Sequence, residues 1–565
     1  MLTWWQERVV YQIYPRSFKD SNGDGLGDLA GIIEELDNLR DLGIGVLWLS
    51  PVYPSPDADN GYDISDYRNI DPRYGSLADM DRLIAEAERR DIKIIMDLVI
   101  NHTSDQHPWF QASRDPASPY RDWYLWRPGR KGRQPNNWTS FFAGRCWEFD
   151  ERSGEFYLHL FSKEQPDLNW RNPAVLAEIE SIMRFWLDRG IAGFRCDVIN
   201  VIYKTSLENG RQRLVLTGSE HYLSQPGVHE ILRTLRADVL NRYDCFAVGE
   251  TVFVSPLQAR DLCLPERREL DMVFTFSQME TDQLFVKWFK RRFHAGRLAR
   301  NLARWQADLP WNANYLENHD QPRSVSRFGD DGRYWAESAK LLATLLFSLR
   351  GTPFVYQGQE IGMTNFDFTS MDQVRDVESH SVYAMAGKLG IPRPWRWLMI
   401  RFSSRDNGRT PMQWTAGPNA GFSRGTPWLG VNHNHRRINL ATQLGDPSSV
   451  RSWYKLMIAL RAAEPVLLAG SFVTVKTSRS LFAFRRELAG QAPLLVLLNF
   501  SARQRFVPST GHLVVSSYGK TGYNGQLEPW EAAILRLDGS SSNAIEKKLP
   551  TIDTASQTAS KGIAE

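Results

Sequence analysis

The sequence predicts an α/β protein built on a (β/α)8 TIM barrel, with a loop-rich subdomain inserted after the third strand and an antiparallel β domain at the C-terminus. Three observations predict it. Amphipathic helices alternate with short apolar strands, eight such strands can be found in order, and carboxylates recur at the strand ends, where a barrel carries its active site.

One unit shows the pattern clearly. Asn172-Pro173 reads as an N-cap with proline at the first helical position. Apolar residues then recur at Val175, Leu176, Ile179, Ile182, Met183, Trp186 and Leu187, which is one buried helical stripe. Gly190 stops the helix, and Ile191 to Asp197 follows as a buried strand ending in a carboxylate. The same unit recurs as a helix near 78–90 before a strand at 92–100, a helix near 229–241 before 246–250, and a helix near 336–349 before 353–356. Further strands are expected at Val9–Ile13, Val46–Leu49, Met272–Phe274 and Ala313–Tyr315. No GxGxxG follows the first strand, which weighs against an open doubly wound sheet.

Between 103 and 171 the chain is rich in Trp, Pro, Asn and Gly and too long for an ordinary βα loop. The expected division is therefore barrel at 1–102, insert at 103–171 with a strand at 155–161, barrel again at 172–469 with an excursion at 365–414, and a C-terminal β-sandwich at 470–539. The last carries short alternating strands at 472–476, 481–486, 494–500, 512–518 and 532–537. Residues 540–565 are small and polar and are expected to form no fixed structure.

Composition narrows the function classes. The formal net charge is only +3 and the Lys and Arg are scattered, so no nucleic-acid partner is expected. The longest apolar stretch, Leu341–Leu349, is too short to span a bilayer and ends at Arg350, so no membrane association is expected either. Met1 to Arg8 has no apolar signal region, and Cys146, Cys196, Cys245 and Cys263 show no CxxC pair. A cytoplasmic protein with free thiols, monomeric or weakly self-associating, is expected. Twenty Trp are many; most are expected to pack in the core or loops, and a carbohydrate site would use the flat faces of some.

The carboxylates carry the chemistry. Asp97 lies on the third predicted strand, Asp197 ends the fourth, Glu250 the fifth, and Asp320 follows the seventh. Such a cluster suits glycoside hydrolysis, where one protonated acid helps the leaving oxygen depart and an ionised one attacks or stabilises an oxocarbenium-like transition state. Arg195, two residues before Asp197 on the same face, is the cation that would keep it ionised.

The segments Asp97-Leu-Val-Ile-Asn-His102, Gly193-Phe-Arg-Cys-Asp197-Val-Ile-Asn200, Val248-Gly-Glu250-Thr and Glu317-Asn-His-Asp320-Gln-Pro-Arg323 closely resemble the α-amylase superfamily, glycoside hydrolase family 13. Gln165-Pro-Asp-Leu-Asn169 is similar to a marker of its oligo-1,6-glucosidase branch. The resemblance implies Asp197 as nucleophile, Glu250 as general acid/base and Asp320 as transition-state stabiliser, with no cofactor for catalysis. It implies that His102 and His319 hydrogen-bond the same glucose and that Arg195 orients Asp197. Asp59, Tyr62 and Arg409 resemble the branch's clamp on the non-reducing end, with Phe142 and Phe161 as candidate walls. Val198, next to the nucleophile, resembles enzymes that prefer α-1,6 bonds. The expected activity is thus a retaining, exo-acting α-glucosidase on short isomalto-oligosaccharides.

Asp20-Ser-Asn22-Gly-Asp24-Gly-Leu26-Gly-Asp28 resembles the start of a calcium loop, with oxygens at alternate positions and Gly25 at the sixth. Gly31 replaces the usual twelfth-position Glu, so this is no EF-hand. The expected ligands to a structural Ca2+ or Mg2+ are Asp20, Asn22, Asp24, the Leu26 carbonyl and Asp28. Trehalose-6-phosphate hydrolase, sucrose isomerase and α-1,4-glucosidase are the related alternatives. A phosphorylated substrate would call for a cation at the pocket mouth, for which Lys204 and His221 are candidates, although a surface position is expected for both. Ser324-Val-Ser-Arg-Phe328 replaces the alternating Arg/Asp run of the isomerases. A non-enzymatic transporter subunit would have lost the acids that this chain keeps.

Overall fold

The computed structural model describes residues 2–130, 132–213 and 215–538, so the expected tail at 540–565 lies outside the described residues. Eight parallel strands form the barrel: Val10–Ile13, Val46–Leu49, Lys93–Leu98, Gly193–Cys196, Phe246–Thr251, Met272–Thr275, Ala313–Asn314 and Thr352–Tyr356. The eighth strand pairs with the first, and the sheet runs on in chain order to the sixth. Across the remaining seam, between the sixth and seventh strands, Tyr315 donates its hydroxyl to the Thr275 carbonyl at 2.8 Å.

Register sets the site. Asp97 stands opposite Arg195, and Glu250 is one step beyond the residue facing Cys196. Close strand approach at the fourth strand needs Gly193, whose φ is +141° and whose added Cβ would lie 1.9 Å from the Phe246 carbonyl oxygen. The helix before it runs Pro173–Asp188, capped by Asn172, which accepts from the Ala174 N–H at 2.9 Å. Its inward stripe is Val175, Ile179, Ile182, Met183, Trp186 and Leu187, all buried. Of the residues expected on that stripe, only Leu176 is part-buried.

The insert holds a three-stranded antiparallel sheet with Glu155–Leu158 at its centre, flanked by Trp126–Arg127 and Trp147–Asp150. The central strand stops short of Phe161, because His159 and Leu160 turn to bond Cys146 and the Asp167 carboxylate. The excursion after the eighth strand is a helical pair, Val377–Lys388 and Arg393–Arg401, which packs on a ribbon at 283–290. Neither the helical pair nor the ribbon was expected, since Gly387, Gly390, Pro392 and Pro394 interrupt any helical period there.

At the C-terminus Ser471–Thr477, Leu481–Glu487, Leu494–Asn499, His512–Ser516 and Ala532–Arg536 form one antiparallel sheet, with the last strand between the third and fourth, beside a two-stranded ribbon at 505–506 and 526–527. Buried Arg486 ties this sheet to the barrel. Its guanidinium donates to the Ser348 carbonyl, the last of helix Trp335–Ser348, and to Gly470 and Ser471. That satisfies an orphan helix-end acceptor with a cation, the favoured sign there. All four cysteines are free thiols.

Candidate active site

The carboxylates expected at the strand ends meet around one guanidinium. Arg195 Nη1 lies 2.5 Å from Asp97 Oδ1 and 2.6 Å from Asp197 Oδ1, and Nη2 lies 2.8 Å from Glu250 Oε2. All four residues are buried. Trp48 Nε1 and the Tyr62 hydroxyl donate to the other Asp97 oxygen at 3.0 and 3.2 Å, so Asp97 is wholly engaged in holding Arg195 and its surroundings.

One cation does not balance three buried carboxylates, and the excess shows in their proton affinities. Burial pushes Glu250 up to about 7, with Arg195 opposing and Asp197 and Asp320 adding to the rise. Burial also pushes Asp197 up to about 6 against Arg195. Asp97 likewise rises to about 6 by burial, held down by Arg195 and the Trp48 N–H. Glu250 is thus the weaker acid of the pair and holds a proton in preference to Asp197, the order an acid and a nucleophile require.

Val198 follows Asp197 with φ 36° and ψ 41°, a left-handed conformation that a β-branched side chain adopts only at a cost on the order of 1–3 kcal/mol. The strain turns its N–H toward Glu250 Oε2, 3.3 Å away. Its side chain packs into the insert's apolar cluster with Leu158, Leu160 and Tyr222.

Asp320 faces the mouth, with 26% of its side chain exposed. Arg409 Nη2 approaches it at 2.7 Å and Arg405 Nη1 at 3.4 Å. Burial would raise Asp320, but the adjoining His319 ring and the charges of Arg405 and Arg409 outweigh it and hold the group well below the usual carboxylate range. Burial itself pulls His319 down to about 3, so its ring is neutral at pH 7 and the two arginines carry the effect. Arg405 also bonds Asp59 at 3.1 Å and Asp376 at 2.7 Å and sits 5.4 Å from the Phe142 ring. Phe142 meets Phe161 edge-on at 5.7 Å, and Phe161 lies 5.3 Å from the His102 ring. Tyr62 stacks on His319 at 5.2 Å and bonds its Nε2 at 2.7 Å.

Asp59, Tyr62, His102, Phe142, Phe161, Arg195, Asp197, Val198, Glu250, His319, Asp320 and Arg409 thus form one connected set. Arg405 and Asp376 belong to it and were missed. Arg405 lies close to Arg409 in the chain, but its partners Asp59 and Asp320 are distant in sequence; Asp376 lies in the excursion and carries no local signal. Lys204 is a correction. It is buried rather than at the surface, paired with Asp167 at 2.5 Å and Asn101 at 2.8 Å, so it is not free for a phosphate. His221 is part-buried and stacked on Trp138 at 5.4 Å. A cavity of about 400 Å3 lies on the insert side of Lys204, lined by Arg121, Trp126, Asn169 and Arg171, and contains none of the catalytic candidates.

The loop at 20–28 is organised by its own oxygens. Asp20 accepts from the N–H groups of Asn22, Gly23 and Gly25, Asn22 from Asp24, Asp24 from Leu26, and Asp28 from Ser21 and Gly31. The donor set is hard oxygen, suited to Ca2+ or Mg2+. Among the described residues, however, no three His, Cys, Asp or Glu side chains converge as a metal centre.

Comparison with known proteins agrees with this arrangement. The α-amylase catalytic-domain family matches residues 12–470. The oligo-1,6-glucosidase of Parageobacillus thermoglucosidasius is 47% identical over 556 residues, covering 94% of this chain and 99% of that protein. The trehalose-6-phosphate hydrolase of Bacillus subtilis is 44% identical over 506 residues, covering 88% and 90%. Among solved structures, an isomaltulose synthase variant from Erwinia rhapontici bound to sucrose superposes with TM-score 0.92 at 40% identity, covering 95% of this chain and 100% of that one. The chain belongs to the α-amylase family, glycoside hydrolase family 13, as a glycoside hydrolase of its α-glucosidase group.

Proposed function

We propose that the protein is a retaining, exo-acting α-glucosidase that removes terminal glucose from short α-1,6-linked isomalto-oligosaccharides. The observation that carries the reading is the single guanidinium of Arg195 spanning Asp197 and Glu250. Contact with one guanidinium keeps the two carboxyl groups close, which supports a retaining pair, for which the spacing is about 5–5.5 Å, over an inverting pair that leaves room for water between them.

In the proposed cycle Asp197, ionised and oriented by Arg195, attacks the anomeric carbon while Glu250 donates its proton to the departing glycosidic oxygen. Glu250, now ionised, takes a proton from water, which hydrolyses the β-glucosyl ester and restores both acids. Asp320, kept ionised by Arg405 and Arg409, would accept hydrogen bonds from ring hydroxyls. Asp59, Arg405 and Arg409, linked by ion pairs around Asp320, would close the far end of the pocket, which supports removal of single terminal units. Lys204, turned inward onto Asp167, weighs against a phosphorylated substrate.

The α-1,6 preference rests on Val198, whose strained backbone fixes its side chain against the insert. A difference of one or two methyls there supplies only about 1–3 kcal/mol of discrimination. Turnover of isomaltose, panose, maltose, sucrose and trehalose 6-phosphate tests it. Isomaltose and panose are expected to lead; strong turnover of maltose with none of isomaltose overturns the linkage.

We further propose that the 20–28 loop, through Asp20, Asn22, Asp24, Asp28 and the Leu26 carbonyl, holds one structural divalent cation. Its alternating oxygens support the reading.

A further inference from the structure

Lys204, Asn101 and His102 form a buried relay that the catalytic cycle above does not use. Lys204 Nζ lies 2.8 Å from Asn101 Oδ1, and an ammonium can only donate. The Asn101 oxygen must therefore face Lys204, which leaves its NH2 toward the imidazole, 3.2 Å from His102 Nδ1. An NH2 only donates, so Nδ1 must be the bare, accepting nitrogen of the ring. Burial pulls His102 down to about 4, so the ring is neutral and carries one proton. That proton is then on Nε2, which lies 3.0 Å from the Tyr62 carbonyl, an acceptor.

Gln165 Nε2 also lies 3.0 Å from His102 Nε2. The Gln165 side-chain oxygen accepts from the Ser162 N–H at 3.0 Å, and its two NH2 protons have acceptors in the Tyr62 carbonyl at 3.2 Å and Asp59 Oδ2 at 3.4 Å, so His102 Nε2 need not accept from it. The Lys204 donor on one side and the Tyr62 acceptor on the other agree on the Nε2–H form. Asp167 neutralises the ammonium at 2.5 Å and belongs to the Gln165-Pro-Asp-Leu-Asn169 segment. A similar arrangement serves the second pocket histidine, where Gln12 Nε2 lies 2.8 Å from His319 Nδ1 and the Tyr62 hydroxyl meets Nε2.

We propose that Lys204 is a positioning residue which, through Asn101, locks His102 as the Nε2–H tautomer, so that Nε2 always donates to the Tyr62 carbonyl and holds the backbone of that pocket residue. That Tyr62 faces the terminal glucose rests on the proposed function; the tautomer does not. The other tautomer would set a bare nitrogen against that carbonyl, lone pair to lone pair.

The test is long-range 1H–15N correlation on full-length protein labelled with [15N]histidine, with the His102 signals identified by their loss in His102→Gln. The expected wild-type pattern is a protonated Nε2 and a bare Nδ1; a protonated Nδ1 with a bare Nε2 overturns the relay. Asn101→Asp is isosteric and keeps an oxygen for Lys204, but puts an acceptor opposite Nδ1. Nδ1 is expected to gain a proton in that variant, and a bare Nδ1 contradicts the proposal. Lys204→Met alone leaves Asp167 buried without a counter-charge, so Lys204→Met/Asp167→Asn is the paired variant. With Asn101 free to flip, it is expected to show both tautomers; a pure Nε2–H form overturns the role of Lys204. On isomaltose Asn101→Asp is expected to lose tenfold or more in kcat/KM, mainly through KM, because Tyr62 loses its hold. A changed tautomer with unchanged kinetics would instead refute the link from His102 to Tyr62 while leaving the relay standing.

Discussion

Arg195 donates to Asp97 and Asp197 and lies 2.8 Å from Glu250, and that arrangement governs how protons are shared at the site. With Asp197 raised to about 6 and Glu250 to about 7, acidification below 6 protonates the nucleophile and alkalinisation above 7 strips the acid. The dependence of kcat/KM on pH is expected to be a bell centred between about 6 and 7, with both limbs belonging to the coupled pair. A flat profile from pH 5 to 9 contradicts this assignment. Glu250→Gln is expected to lose about 10²- to 10⁴-fold in kcat on substrates with poor leaving groups. The acids and Arg195 were legible because strand ends and a period of two mark them along the chain, and His102 and His319 through the resemblance of their segments to a known family. Arg405 was not, because its meaning comes from Asp59 and Asp320, which only the fold brings near. Arg405→Met is expected to raise KM more than it lowers kcat, measured on isomaltose; a change confined to kcat contradicts a clamp role.

At the scale of elements, helix Pro173–Asp188 delivers the strand that carries Arg195 and Asp197. Its cap contributes locally, so Asn172→Ala is expected to cost about 1 kcal/mol of stability by urea unfolding, with kcat unchanged. That helix was legible from cap, proline and apolar stripe together. The helical pair at 377–401 was not, because its glycines and prolines break the period and its inward face, Val382 and Ile400, is narrow. The loop at 20–28 gives a sharper test. If it holds a cation, EDTA lowers the melting temperature and Ca2+ restores it; equal melting with chelator and with Ca2+ contradicts the metal. Either outcome leaves the acids in place, since the loop's oxygens lie outside the Arg195 cluster.

For the whole molecule, the barrel, insert and C-terminal sheet divide the work. Barrel strands align the acids, and the insert supplies Phe142, Phe161 and the apolar cluster that holds Val198. The C-terminal sheet docks through Arg486 onto the end of a barrel helix. Arg486→Met would leave the Ser348, Gly470 and Ser471 carbonyls short of a buried donor, at about 1–3 kcal/mol each where no water replaces it. It is expected to lower the melting temperature while kcat at 25 °C is retained; loss of kcat with unchanged melting contradicts a purely structural tie. The broad architecture was legible because eight repeated units leave a period in the sequence, whereas the docking of the C-terminal sheet depends on one buried cation with no such period. In the proposed cycle the whole assembly serves Asp197 as the nucleophile of a double displacement. Trapping with 5-fluoro-α-D-glucosyl fluoride, followed by peptide mass spectrometry, tests it most directly. A single glucosyl adduct on Asp197 is predicted, and an adduct on Asp97, Glu250 or Asp320 instead would contradict it.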